Sequence, residues 1–416
     1  MSTDHSLPRS LALLYLVLLA QFLTASQVLW GQTTEEEAAL RALGYISHPP
    51  ESAEQRRRNP GGLIRNTPGL TTPGYTLMTL IPESRAILVD NGGEIIRSWS
   101  DPDSLQWGRA ELQPGGDLLV IGTLDRVIEN QGRPEGIERR EGQSGYLARY
   151  DWNGRLLWRS YIDAHHDLDV GRSGRIWTLG LEDRRDGDLF FQDHLILEVS
   201  AEGDLLREYS LFDALRSNPD LYELPRRTEH PKAIGEDGRV DLLHSNAIGL
   251  MPFPGLSDRG ELYCASCVLV TVRHQNLVAI IHPESKRLVW AWGPGELQFP
   301  HEATWLENGH ILIFDNGTKE RAFSRIIEVE PRSGEIVWTY RHPRKGGFFS
   351  AGRGTAQALP GGNVLIASSN QSRVFEINRQ GHLVWAYRTR GLDGRQVTVR
   401  AQKYPPTLLA PLIEGP

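Results

Sequence analysis

One hairpin, written six times, limits what this chain can fold into. Six segments share the pattern Gly-x-apolar-apolar followed by a large side chain: Gly93-Glu-Ile-Ile-Arg97, Gly154-Arg-Leu-Leu-Trp158, Gly203-Asp-Leu-Leu-Arg207, Lys286-Arg-Leu-Val-Trp290, Gly334-Glu-Ile-Val-Trp338 and Gly381-His-Leu-Val-Trp385, with Lys in place of Gly once. Each follows a short apolar run such as Ile326-Ile327-Glu328-Val329, so each reads as strand, tight turn, strand. The starts lie 61, 49, 83, 48 and 47 residues apart. Three of these spacings agree on about 48 residues, the length of a four-stranded propeller blade. The two long ones mark insertions, near Gln131–Gln143 and Arg216–Arg239. A solenoid would need polar capping repeats, and none is evident, so the expectation is a closed ring: an all-β, six-bladed β-propeller. The 42 Gly and 25 Pro suit many short strands joined by turns.

A second signature falls midway between the hairpins: Pro114-Gly-Gly116, Ser173-Gly174, Asn308-Gly309 and Pro360-Gly-Gly362, each leading into an apolar run. It marks the turn between the first two strands of a blade, which makes the preceding strand the innermost one. Counting back eight residues from the turn glycine reaches Gly108, His166, His301 and Gly354. His244 opens Leu243-His244-Ser245-Asn246-Ala247-Ile248, the expected inner strand of the fourth blade. Three successive blades thus aim an imidazole at one mouth of the channel. A lone histidine in a strand is ordinarily a hydrogen-bonded structural residue. Three at equivalent ring positions are neighbours in space, which suits metal ligation, acid–base work or nucleophilic attack. Arg273, at the end of Val268-Leu-Val-Thr-Val272, adds a cation. It disfavours a dication and favours an anionic substrate, so no metal is expected. Asp167 and Glu302 directly follow two of the histidines. In an extended strand they point the other way and orient an imidazole poorly.

The N-terminus directs the chain out of the cytoplasm. Leu11 to Trp30 is almost uncharged and preceded by Arg9. Thr24-Ala25-Ser26 offers small residues for cleavage, yet the apolar stretch continues through Trp30, so a cleaved signal and an uncleaved membrane anchor both stay open. The expected organisation is a signal or anchor over 1–31, a tether over 32–66 with a short helical stretch at Glu35–Leu43, and the propeller over 67–416. The net charge of −7, with no basic run beyond the short Arg56–Arg58 cluster, excludes a nucleic-acid groove. No Gly-rich phosphate loop sits between a strand and a helix, and no cofactor is expected.

At these residues the sequence resembles the bacterial arylsulfotransferases, six-bladed propellers that transfer a sulfuryl group between phenols. The likeness covers roughly Gly69 to Thr389. It is strongest in Val268-Leu-Val-Thr-Val-Arg-His-Gln-Asn-Leu-Val-Ala-Ile-Ile281 and in Phe299-Pro-His-Glu-Ala-Thr-Trp-Leu-Glu-Asn-Gly-His-Ile-Leu-Ile-Phe-Asp-Asn-Gly317. The resemblance implies His301 as the nucleophile that becomes a transient sulfohistidine, and His244 with Asn246 as a His-x-Asn element. It further implies Arg273 as the sulfate-binding arginine, His166 or its neighbour His165 as the remaining histidine, and Thr355 as a substrate-contacting threonine. Aryl sulfate and phenol would be the substrates. The family's better-known members carry an N-terminal β domain that supports dimerisation. The segment before the first blade is too short for one, which leaves the oligomeric state open. Their disulfide is not matched by spacing either. The two cysteines form Cys264-Ala-Ser-Cys267, an oxidised pair, a redox motif or two quiet thiols. A local structural disulfide is favoured and needs a turn or bulge, because residues three apart in a strand face opposite ways. Two other readings stand beside it: a non-enzymatic propeller that binds a ligand or partner, and a quinone-cofactor dehydrogenase suggested by the Trp-rich hairpins. Those tryptophans are better placed as packing between blades.

Overall fold

The computed structural model describes Glu54 and residues 60–124, 144–227, 238–344, 346–395 and 397–413. The apolar segment 11–30, most of the expected tether with its helical stretch, and the insertion at Gln131–Gln143 lie outside the described residues. Strand β1 (Gly62–Asn66) comes first and is followed by β2 (Tyr75–Ile81), β3 (Arg85–Val89) and β4 (Ile95–Ser100). The second blade is β5 (Gln106–Leu112), β6 (Leu118–Leu124), β7 (Ser144–Tyr150) and β8 (Leu156–Ser160). The third is β9 (His165–Val170), β10 (Ile176–Asp186), β11 (Leu189–Val199) and β12 (Leu205–Ser210), with helix α1 (Leu211–Arg216) after it. The fourth comprises β13 (Ser245–Leu250), β14 (Val268–Val272), β15 (Leu277–His282) and β16 (Arg287–Trp292). The fifth comprises β17 (Ala303–Trp305), β18 (Ile311–Asp315), β19 (Arg325–Glu330) and β20 (Glu335–Tyr340). The sixth holds β21 (Thr355–Ala358), β22 (Val364–Ser368), β23 (Arg373–Ile377) and β24 (Leu383–Arg388). Strand β25 (Thr398–Tyr404) and helix α2 (Pro406–Ile413) complete the described chain. The fold is a six-bladed β-propeller of antiparallel sheets, as the repeat requires.

Both ends close the ring. Strand β25 pairs with β2 and becomes the inner strand of the first blade, while β1 pairs with β24 as a fifth, outermost strand of the sixth. The last five residues of the expected tether, Gly62–Asn66, therefore belong to a sheet. Two shared edges remove the open strands along which a ring would otherwise part.

The repeated motif has a physical reading. It forms the outer hairpin of every blade, and each hairpin carries a register shift beside its turn. The motif glycine takes a left-handed backbone there, φ between 73° and 95°, as such a bulged turn demands; Lys286 adopts it at φ 52°. The large residue that ends the motif clasps the next blade. The indoles of Trp290, Trp338 and Trp385 donate to the carbonyls of Pro331, Arg379 and Asn91, at 2.8, 3.0 and 3.0 Å. Trp99 does the same to Trp152 at 3.1 Å. The Trp-rich hairpins are thus explained by inter-blade packing.

The four glycine turns join first to second strands, so the strands preceding them are innermost. In the fourth blade that turn is replaced by residues 251–267, which hold two short 3₁₀ turns and a Cys264–Cys267 disulfide. The Cys267 amide donates to the Cys264 carbonyl at 3.2 Å, the turn that a disulfide at this spacing needs.

Candidate active site

The histidines sit where each inner strand begins, and the backbone there is irregular in a way that turns their rings toward one another. His166 and His244 hold left-handed backbones, φ 60° and 44°. Register shifts in the pairing of β9 with β10 and of β13 with β14 fall at the same places. Non-glycine residues in this region cost about 1–3 kcal/mol each and persist where the surroundings over-determine them. The ring centroids of His166 and His244 lie 5.3 Å apart. Asn246 donates to the Pro300 carbonyl at 3.3 Å, tying the fourth blade to the residue ahead of His301.

His301 is buried, and its protons are assigned by its neighbours. Asn316 donates to the carbonyls of Ser350 and Arg353, both at 2.6 Å, so its own oxygen faces the ring and accepts from Nδ1 at 2.8 Å. The Arg353 amide donates to Nε2 at 2.6 Å. The hydrogen is therefore on Nδ1 and the lone pair on Nε2. Burial first, then the Arg273 guanidinium, holds His301 well below the usual imidazole range. It is a neutral ring with a nucleophilic nitrogen at neutral pH.

Around it stands a cluster of rings and charges. Asp241 accepts from His244 twice, from the backbone amide at 3.1 Å and from Nδ1 at 2.5 Å. Its main-chain carbonyl accepts from His274 Nδ1 at 2.6 Å. Arg273, only 3% exposed, donates to His274 Nε2 at 2.9 Å and lies 4.7 Å over the Phe299 ring. His165 donates to the Leu179 carbonyl, and its Nε2 meets His194 Nδ1 at 3.1 Å. Burial pushes His274 down to about 2 and His165 and His166 well below their ordinary range, with neighbouring imidazoles adding to the effect. Burial alone would raise Asp241, yet His244, His194 and His274 hold its carboxyl well below the carboxylate range. Asp241, His244 and His274 bring donor atoms within 4.8 Å of one another, a spacing compatible with a metal ion. The set does not suit one. Both nitrogens of His274 are committed, one donating and one accepting, and a guanidinium stands beside it. A site of neutral imidazoles around one buried guanidinium suits an anion.

A profile of the arylsulfotransferase (ASST) family matches residues 142–390. The chain belongs to the arylsulfotransferase family. No curated protein matches. Similar solved structures include a protein of unknown function from Bacteroides caccae, 13% identical over 76% of this chain and 93% of that one, TM-score 0.49. A streptogramin B lyase is 14% identical over 82% of this chain and 97% of its own, TM-score 0.43. A virginiamycin B lyase from Staphylococcus aureus is 14% identical over 82% and 88%, TM-score 0.41.

In this member of the family, His166, His244, Arg273 and His301 come together with Asn246, the three histidines at the places the register of the repeat gives them. His165 and His166 both belong to the cluster, His165 facing His194 and His166 facing His244. The Thr355 hydroxyl donates to the Ala401 carbonyl at 3.2 Å and accepts the Ala401 amide at 3.3 Å, joining β21 to β25. Asp167 and Glu302 point away from the imidazoles, as strand geometry requires, into a buried ionic lattice. Asp167 meets Arg400 at 3.1 Å and Arg109 at 3.4 Å, and Glu302 lies 3.9 Å from Arg109. These pairs link the first and second blades to the third and fifth. Burial pushes Glu302 up to about 7. Sequence reasoning missed Asp241, His194, Asn316 and the Arg353 amide. Asp241 carried one signal, its place three residues before His244. His194 carried none, since it lies on β11, away from the inner strands.

Proposed function

We propose that the protein is a nucleotide-independent aryl-sulfate sulfotransferase working outside the cytoplasm, which moves a sulfuryl group from an aryl sulfate to a phenol through a sulfohistidine at His301. The observation that carries the reading is the His301 imidazole, buried and neutral, with its hydrogen held on Nδ1 by Asn316 and Arg273 as the nearby cation. Nε2 attacks sulfur as the bond to the aryl oxygen breaks, and that oxygen leaves with the electron pair and is protonated. The Arg353 amide, released from Nε2, is placed to donate to a sulfuryl oxygen. Arg273, His166, His244 and Asn246 receive the charge spread over the other oxygens, the kind of preorganised stabilisation that serves a transferring anion. A phenol then reverses the steps, giving ping-pong kinetics. Export is supported by the apolar stretch at residues 11–30 and by the Cys264–Cys267 disulfide, since disulfides persist in oxidising compartments.

The test is transfer from 4-nitrophenyl sulfate to phenol by wild type and His301→Ala, with intact mass measured in the absence of acceptor. A covalent sulfuryl group on the wild type, lost with turnover in the variant, supports the reading. A folded wild type that turns over no aryl donor favours a propeller that binds a ligand without reacting.

A further inference from the structure

The sulfuryl-transfer reading leaves open which group handles the proton. We propose that Asp241 is a positioning residue that makes His244 the proton donor to the departing aryl oxide and the proton acceptor from the incoming phenol. The inference rests on that reading and adds an assignment to it.

The geometry around Asp241 is that of an orienting carboxylate. It lies three residues before His244, just ahead of β13, and grips it at two points, the backbone amide at 3.1 Å and ring Nδ1 at 2.5 Å. The second contact keeps a hydrogen on Nδ1 and leaves Nε2 as the nitrogen facing away from Asp241. The ring is fixed on both flanks. His274 stacks on it at 4.5 Å, itself held by the Asp241 carbonyl, and His166 lies 5.3 Å away. The far side of the carboxylate is occupied as well. His194 Nε2 is buried and faces Asp241 Oδ1 at 3.6 Å. The charged and titratable groups facing the pair are His165, His166, His194, His274, His301 and Arg273, and among the described residues Asp241 is the carboxylate that meets these rings. Burial holds His244 below the ordinary imidazole range and the Asp241 charge opposes that shift, so an imidazolium there draws both on Asp241 and on the negative charge that a bound sulfate monoester adds.

The step balances. A neutral His301, a singly charged aryl sulfate and a protonated His244 become a phenol, an N-sulfonated imidazolium of no net charge and a neutral His244. The N–S bond forms, the S–O bond breaks with its electrons going to the aryl oxygen, and the proton of His244 Nε2 moves to that oxygen. Asp241 remains a carboxylate throughout. The acceptor phenol returns a proton to His244 as its oxygen attacks sulfur.

A leaving group that needs no proton separates this role from a structural one. Single-turnover release of the donor phenol, without acceptor, is measured for wild type and D241N with 4-nitrophenyl sulfate, whose nitrophenolate leaves unprotonated, and with phenyl sulfate, whose phenolate needs a proton. D241N is expected to slow release from phenyl sulfate by ~10²-fold or more, the usual contribution of a positioned acid, and release from the nitrophenyl donor far less. H244Q is expected to show the same discrimination, and the double variant to lose no more than the worse single one. Equal slowing with both donors, or slowing with neither, overturns the assignment. NMR of the ring nitrogens in wild type provides a check that needs no variant: His244 must carry hydrogen on Nδ1, and an Nε2–H tautomer overturns it. A wild type that releases neither phenol overturns sulfuryl transfer itself.

Discussion

Asn316 makes no contact with substrate in the proposed mechanism, yet its side chain decides which nitrogen of His301 is nucleophilic. It is fully buried and serves three partners: the Ser350 and Arg353 carbonyls, each at 2.6 Å, and His301 Nδ1 at 2.8 Å. Asn316→Ala removes all three contacts from buried partners. A buried polar group left unpaired costs about 1–3 kcal/mol. Two of the three have a weaker second partner, since the Ser324 hydroxyl reaches the Ser350 carbonyl at 3.3 Å and the Phe299 carbonyl reaches Nδ1 at 3.2 Å. The loss of stability is therefore expected at about 2–4 kcal/mol, readable as a shift in urea midpoint at constant slope. Chemistry should suffer separately, because a ring free to carry its hydrogen on Nε2 has no lone pair there; wrong-tautomer variants of other imidazole sites lose up to ~10⁴ in rate. Asn316→Asp sharpens the test. It keeps the acceptor, loses both donors and places a negative charge beside Nδ1, so His301 holds a proton at higher pH and the sulfation rate acquires an acid limb. The experiment is sulfation of the chain by 4-nitrophenyl sulfate under conditions where every variant is folded, with melts in parallel. An Asn316→Ala protein that melts like wild type and is sulfated at the wild-type rate would refute the argument.

Other expectations can be checked alongside. Five rings, His165, His166, His244, His274 and His301, are held below their ordinary range, with His274 at about 2, so unfolded chains bind protons near pH 6.5 that the folded protein does not. Stability is then lost as pH falls below 6.5, by about 1.4 kcal/mol per pH unit per ring. Glu302 and Asp169, both raised to about 7 by burial, oppose this, as do Glu111 and Asp193, which burial also raises, because the folded state keeps their protons above their unfolded range. With five rings against four carboxyls, urea midpoints should fall only modestly from pH 6 to pH 5, and a clear rise would show that the imidazoles are solvated. Arg273→Lys retains charge and loses the planar fork, so the first half-reaction should slow by ~10²-fold or more with the fold intact; an equal rate would remove Arg273 from the site. Replacing Cys264 and Cys267 by Ser opens a loop of sequence separation 3, for which chain entropy predicts about 2 kcal/mol of lost stability and no change in turnover. Loss of activity in the folded double variant would instead mark the pair as part of the chemistry.

Much of the fold was legible because each hairpin writes its own constraint. The motif glycine must take a left-handed backbone at a bulged turn, and the bulky residue after it must find a neighbour, so local chemistry repeated six times specifies a blade without reference to the rest of the chain. The histidines were legible for the same reason: a fixed count from a turn glycine locates the start of an inner strand, and ring geometry brings such starts together. Closure was not. The pairings of β1 with β24 and of β25 with β2 join the two ends of the sequence, and neither strand carries the repeat.

What the sequence by itself determined is the blade, the number of blades and the places where an imidazole opens an inner strand. Only the tertiary structure decided how those imidazoles are held. The amide that donates to His301 Nε2 comes from Arg353, 52 residues away, the ring facing His165 comes from β11, and the arginine that pairs with Asp167 lies 233 residues on. The reason is physical. Periodicity and turn chemistry act over a few residues, whereas tautomers, depressed imidazole affinities and buried ion pairs depend on desolvation and on angles between groups from different blades. Those exist only once the ring has closed.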